Sequence, residues 1–265
     1  MFQFPAEHEE EEQVEALKRW WNENGKSTVA ANLACALARR GLKVGLLDAD
    51  VYGPSAPILF GLEDARPTLD KDRRIVPPEA FGVKVMSMGF LAGAEDAMIW
   101  RGPMVMGAIA QLLEQVAWAP LDVLVIDQPP GTGDAQLTLA QRAPITGAVI
   151  VSTPQNLALA DVRRGIEMFS KVQVPILGVV ENMSAATDPA TGAVFAPFGA
   201  GGAKEAANAL GVPFLDTLPL DPGLAEASDR GQPPAAVAPE GPVGSRFFQL
   251  AEAVLAGLDA AGARQ

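Results

Sequence analysis

Cysteine is almost missing from this chain. Its one copy among 265 residues, Cys35, excludes an internal disulfide framework and suits a reducing cytosol. Positive charge is also scarce: 20 Lys and Arg against 32 Asp and Glu leave a net charge of -12. General nucleic-acid binding needs a basic face, so that class is excluded. No apolar run reaches the ~18–20 residues of a membrane span. The opening stretch, MFQFPAEHEEEEQ, lacks the basic start and apolar centre of a secretory signal. Histidine occurs once, as His8 in that acidic arm, too isolated for a metal site. There is no internal repeat. A soluble cytoplasmic protein is expected, and its 49% apolar and 20% charged residues suit one large α/β domain or two small ones.

From residue 42 onward, short apolar runs read as buried strands at 42–50, 83–89, 121–128, 147–153 and 176–183. Helical patterns lie between them, notably at 103–117, 158–172 and 202–210, with a closing helix near 245–259. This alternation predicts a doubly wound, mostly parallel sheet with helices on both faces. Two Gly/Pro/Ala-rich stretches, 184–202 and 231–244, read as surface excursions. Residues 1–24 read as an acidic, helix-patterned arm, 25–260 as the main domain and 261–265 as a tail. Cys35, inside an Ala/Leu helix, reads as core, and so do the methionines at 86, 88, 98, 104 and 106 as core or interface filler.

The polar residues collect at the carboxyl ends of the strands, where ligands bind in such sheets. Gly25-Lys26-Ser27-Thr28 completes the second half of a G-x-x-x-x-G-K-[ST] phosphate loop, but Trp20 holds the first glycine position. In a working loop, backbone N–H groups and a helix start surround the phosphates, Lys26 reaches the outer ones and Ser27 holds Mg²⁺. Asp48 and Asp50 end one strand, and Asp127 ends another, where a P-loop enzyme keeps its metal-linked carboxylate. PPGTGD (129–134) follows at once, a glycine-bearing loop able to approach a γ-phosphate.

The stretches GKSTVAANLACALARRGLKVGLLDADVYGPSAPILFGL, WRGPMVMGAIAQLL, LDVLVIDQPPGTGDAQLTLAQ and GVVENMS resemble the Mrp/ApbC-type iron–sulfur cluster carriers, deviant P-loop NTPases. The likeness covers roughly residues 25 to 260. It implies a MinD/ParA-like fold and a cytoplasmic homodimer that binds and hydrolyses ATP with Mg²⁺ and delivers a [4Fe–4S] cluster to apo-proteins. By the same resemblance, Gly25, Lys26, Ser27 and Thr28 form the phosphate loop, and Asp48 and Asp50 the first switch, Asp50 orienting the attacking water. Asp127 is the Walker B acid, so that Ser27, Asp48 and Asp127 hold Mg²⁺. Gly131, Thr132, Gly133 and Asp134 form the second switch, and Asn182 and Pro219 lie at the base end of the nucleotide.

Three features depart from that pattern. Relatives read KGGVGKST where this chain reads WNENGKST, so Trp21 replaces a lysine that reaches the partner's nucleotide, and Asn22 and Glu23 replace glycines. A carboxylate near 4 Å from phosphate charge costs on the order of 4 kcal/mol at an effective dielectric of 20. Relatives also place an apolar strand before the loop, whereas residues 9–20 are acidic; the first central strand is expected to be missing, because buried unpaired charge is costly. Finally, Asp188 and Thr191 stand where the family's C-x-x-C cluster ligands would be, so binding by the usual thiolates is not expected. The first 24 residues resemble the cytoplasmic leader of a bacterial tetratricopeptide-type membrane protein, which suggests a chimera joined near GKS. Two further functions stay open: a catalytically impaired dimerisation or adaptor module, and a MinD/ParA-type positioning ATPase.

Overall fold

The protein is described from a computed structural model covering residues 25–51, 53–91, 102–129, 134–155, 157–187 and 192–262. Helix α1 (25–39) opens this part of the chain, followed by β1 (Val44–Asp48) and the single turn α2 (Ala56–Leu59). Three two-residue strands come next, β2 (Thr68–Leu69), β3 (Ile75–Val76) and β4 (Glu79–Ala80), before β5 (Val83–Ser87). The chain continues through α3 (Gly102–Gln115), β6 (Val123–Asp127), α4 (Asp134–Arg142), β7 (Ala148–Ser152), α5 (Leu157–Lys171) and β8 (Ile176–Glu181). A short hairpin, β9 (Ala186–Thr187) and β10 (Val194–Phe195), leads to α6 (Gly202–Leu210) and β11 (Phe214–Thr217). Three helices close the fold: α7 (Pro222–Asp229), α8 (Pro234–Val237) and α9 (Pro242–Gly262).

Strand β1 lies between β5 and β6 and runs parallel to both, while β4 extends the far side of β5 antiparallel. Strand β8 lies between β7 and β11, again parallel. The expected architecture is therefore present: a mostly parallel sheet wound with helices. Among the described residues the parallel strands form two sheets, with β6 ending one and β7 ending the other, while β2–β3 and β9–β10 are separate two-stranded ribbons. The strand expected to be missing falls before Gly25, outside the described residues.

Alternation along the strands assigns the helices to both faces. Val44, Leu46, Val83 and Val85 join the core that α1 and α9 fill, and Leu47 and Met86 join the opposite core with α3. Each fully buried Leu contributes about 1.5–3 kcal/mol by leaving water. Gly45 is required for that second core to close. A Cβ there would stand 2.9 Å from the side chains of Trp118, Leu121 and Leu124. On the second sheet, Val179 packs on Val162 of α5 and on the alanines of α6, and Val180 turns toward the α1–α9 core. Cys35, Met86 and Met88 are core residues as expected, whereas Met104 is exposed.

The predicted strands at 42–50, 83–89, 121–128, 147–153 and 176–183 each contain an observed strand. The closing helix is longer than expected and buries Ala261. The reading of 231–244 as a surface excursion needs correction. Pro233, Pro234, Ala235 and Ala236 are buried, and the Ala235 N–H donates to Asn32 Oδ1 of α1 at 3.0 Å. Small, stiff residues let this segment lie directly on α1. In the 184–202 stretch, Val194 and Phe195 are exposed as expected, but its far end is pinned. Both oxygens of the buried Glu181 accept α6 amides, Gly201 N–H at 3.0 Å and Ala203 N–H at 2.9 Å, which satisfies donors that a helix start leaves unpaired.

Candidate nucleotide site

Parallel pairing sets three polar residues level with one another. Asp48 is opposite Ser87 on one side and Asp127 on the other, each at the carboxyl end of its strand. All three are buried. The start of α1 comes to the same place: the Ser27 hydroxyl donates to the Asp127 carboxylate, and the Lys26 charge acts on it. Lys26 is exposed and Ser27 half-buried, so the site is open to solvent on the α1 side. Thr28 is fully buried, and its Oγ1 has no hydrogen-bond partner. The positive end of a helix macrodipole adds to the attraction for anions.

The electrostatics show what the cluster lacks. Burial pushes the Asp127 carboxyl well above the usual aspartate range, and the charges of Asp48 and Asp50 push it further, against the Ser27 hydrogen bond and Lys26. Burial also raises Asp48, against hydrogen bonds from the Ala56 N–H, the Ser87 hydroxyl and the Asp50 N–H. Two buried acids are thus only partly compensated by one lysine. A hard divalent cation with oxygen ligands fits that deficit.

Asp48 also shapes the turn that carries Asp50. Its Oδ1 accepts the Asp50 N–H at 3.1 Å, and its Oδ2 accepts the Ala56 N–H at 3.1 Å and the Ser87 hydroxyl at 2.9 Å. Asp50 Oδ1 accepts the Gly53 N–H at 3.2 Å.

A second group borders the loop from the other sheet. Asn182 Nδ2 donates to the Gly25 carbonyl at 3.2 Å, and Asn182 Oδ1 accepts the N–H of Met183, whose φ of 61° is left-handed. Pro219 sits between Leu218 and Leu220, whose N–H groups donate to the Glu181 and Ala185 carbonyls. Gly25, Lys26, Ser27, Thr28, Asp48, Asp50, Asp127, Asn182 and Pro219 thus occupy connected positions at the strand ends. Gly131, Thr132, Gly133, Asp188 and Thr191 lie outside the described residues; Asp134 opens α4. Sequence reasoning missed Ser87, although it ends an apolar strand in the same way as Asp127. Glu181 was missed too, and only the tertiary contact with α6 reveals its part.

The family described as NUBPL iron-transfer P-loop NTPase, within the ParA group, matches residues 24–255. The chain belongs to this family. An iron-sulfur cluster carrier protein of Aquifex aeolicus is 51% identical over 229 residues, which cover 86% of this chain and 63% of that protein. One from Pseudomonas fragi is 53% identical over 228 residues, covering 86% of this chain and 79% of its own length. This NUBPL-family chain is also similar to the iron-sulfur cluster transfer protein NUBPL of Dictyostelium discoideum, at 48% identity over 89% of this chain and 73% of that one. Against the Aquifex relative it thus spans under two thirds of the length. Among solved structures, a nucleotide-binding protein of Archaeoglobus fulgidus in complex with ADP superposes with a TM-score of 0.73 at 38% identity, covering 88% of this chain and 96% of that one. The cell-division ATPase MinD of Pyrococcus furiosus, with a TM-score of 0.63 at 24% identity over 88% of this chain and 94% of that one, shares the fold.

Proposed function

We propose that this chain binds and hydrolyses Mg²⁺–ATP and, as a cytoplasmic homodimer, carries [4Fe–4S] clusters to apo-proteins. The observation that carries the reading is the convergence of Lys26, Ser27, Asp48 and Asp127 at two neighbouring strand ends and one helix start. An ADP-bound structural relative and relatives named as cluster carriers support it. Lys26 would neutralise the outer phosphates, while the α1 start and Thr28 hold the phosphates nearer the sugar. Ser27, Asp48 and Asp127 would hold Mg²⁺, which supplies charge neutralisation across the phosphates. Asp50, on the turn fixed by Asp48, would orient the attacking water, and Asn182 and Pro219 would border the base. Gly131 to Asp134 would complete the γ-phosphate side. In this reading residues 1–24 are an arm attached to an NTPase domain at 25–260. ATP turnover with Mg²⁺ tests the proposal: Lys26→Ala and Asp50→Ala should each abolish most of it, and turnover indifferent to both would defeat the assigned roles.

A second reading is a nucleotide-binding dimerisation or adaptor module without a cluster. Cys35 favours it, for burial pushes its thiol up to about 12 and keeps it from acting as a thiolate ligand. Anaerobic reconstitution with iron and sulfide separates the two readings, a stoichiometric cluster supporting the carrier and its absence the adaptor.

A further inference from the structure

We propose that Ser87 is a positioning residue for hydrolysis, fixing through Asp48 the turn that carries Asp50. The kinetic part of this inference rests on the ATPase reading above; the geometric part stands without it. Ser87 is the last residue of β5, wholly buried and level with Asp48 in the parallel register. A serine hydroxyl offers one proton and two lone pairs and can rotate freely. Here both sides are used. Ser87 Oγ accepts the Gly89 N–H at 3.0 Å and donates its proton to Asp48 Oδ2 at 2.9 Å.

Asp48 in turn grips the turn at two points, the Asp50 and Ala56 amides. A carboxylate has about four lone-pair sites. Three are occupied by these donors, and the Ser87 hydroxyl is the one contributed by another strand. The direction of the last site is therefore set from β5. Without that hydroxyl, the carboxylate keeps only donors from the turn it is meant to hold, so carboxylate and turn can swing together.

An independent contact joins the same two segments. A Cβ on Gly89 would stand 3.0 Å from Pro54 Cβ and 3.1 Å from Pro54 Cγ, so the ring of Pro54 rests on a backbone that has no room for a side chain. The tip of β5 thus holds the acidic turn twice, once by a hydrogen bond and once by close packing. Neither hold touches the phosphate loop itself. Ser87 should therefore affect the rate of hydrolysis, with any change in binding confined to the Mg²⁺-bound nucleotide and affinity for metal-free ADP kept.

The test uses the full chain with Ser87→Ala, Ser87→Thr and Gly89→Ala. It measures metal-free ADP affinity by calorimetry, kcat and KM for Mg²⁺–ATP, and amide hydrogen exchange across the turn. Ser87→Ala should keep metal-free ADP affinity within about twofold, lower kcat roughly tenfold and speed exchange at the Asp50 and Ala56 amides, as expected for loss of a hydrogen bond to a charged group. Ser87→Thr, which keeps the hydroxyl, should recover both kcat and protection, and Gly89→Ala should loosen the turn from the Pro54 side. Unchanged kcat and unchanged protection in Ser87→Ala would overturn the proposal. So would a loss that Ser87→Thr fails to restore and that falls equally on ADP affinity and Tm, which would make Ser87 a packing residue. If the unaltered chain hydrolyses no ATP, the ATPase reading fails, and exchange at Asp50 and Ala56 alone decides for or against Ser87.

Discussion

Strand β1 buries all five of its residues, whereas β6 and β7 leave most of theirs only half-buried. The three are similarly apolar: VGLLD, VLVID and AVIVS. Their neighbours differ. Strand β1 is paired on both edges, while among the described residues β6 is paired only with β1 and β7 only with β8. Val123 and Val125 of β6 and Val149 and Val151 of β7 nevertheless pack on the same α1–α9 core. Burial in a parallel sheet therefore follows from flanking strands as much as from side-chain character. The two buried acids of the site divide between the two kinds of strand, Asp48 ending the fully paired β1 and Asp127 ending β6.

The sharpest way to break this comparison is to truncate one apolar side chain from each kind of strand. Leu47→Ala, on β1, should cost about 2–5 kcal/mol in denaturant unfolding, as in other well-packed cores. Ile150→Ala, on half-buried β7, should cost roughly half as much, because less surface leaves water on folding. Equal losses would show that the half-burial of β7 does not weaken its packing. Lys26→Ala should lower ATP turnover roughly a hundredfold, the scale seen when one preorganised charge-stabilising group is lost, with thermal stability almost unchanged.

Acidity gives a smaller and more specific effect. In the folded chain Asp48 titrates at about 6 and Asp127 at about 7, against an ordinary 3.8. Folding thus favours their protonated forms. The stability this supplies is complete below the unfolded value and is lost as pH rises through 6 and 7. The Tm of the nucleotide-free chain should fall between pH 5 and pH 8, and Mg²⁺–ADP or Asp127→Asn should flatten the slope. A Tm that rises over that range would contradict the burial of both acids. The smallest effect is expected at the surface. Arg40 pairs with Glu252 where both side chains are well exposed, and Arg40→Ala should change stability by less than about 1 kcal/mol.

Much of this was legible in the sequence. Continuous Val/Ile/Leu runs gave away the strands, and acids just past them gave away the site, because a parallel sheet directs its strand ends to one place. What the sequence could not convey was lateral order. That Asp48 stands between Ser87 and Asp127 depends on which strands lie side by side, and nothing in the local spacing encodes it. The 231–244 stretch misled for a related reason: Gly, Pro and Ala mark turns, but the same small residues allow close packing once a neighbour such as α1 is present. Glu181 shows the limit most clearly, since its partners, Gly201 and Ala203, lie beyond an intervening hairpin.

That carboxylate has one more implication. By gripping the start of α6 while its neighbour Asn182 holds the Gly25 carbonyl, Glu181 fixes the points at which the 184–202 stretch leaves and rejoins the framework. The stretch behaves as a cassette with two anchored ends. A substitution between those ends should therefore reach the phosphate-binding side only through Asn182 and Glu181.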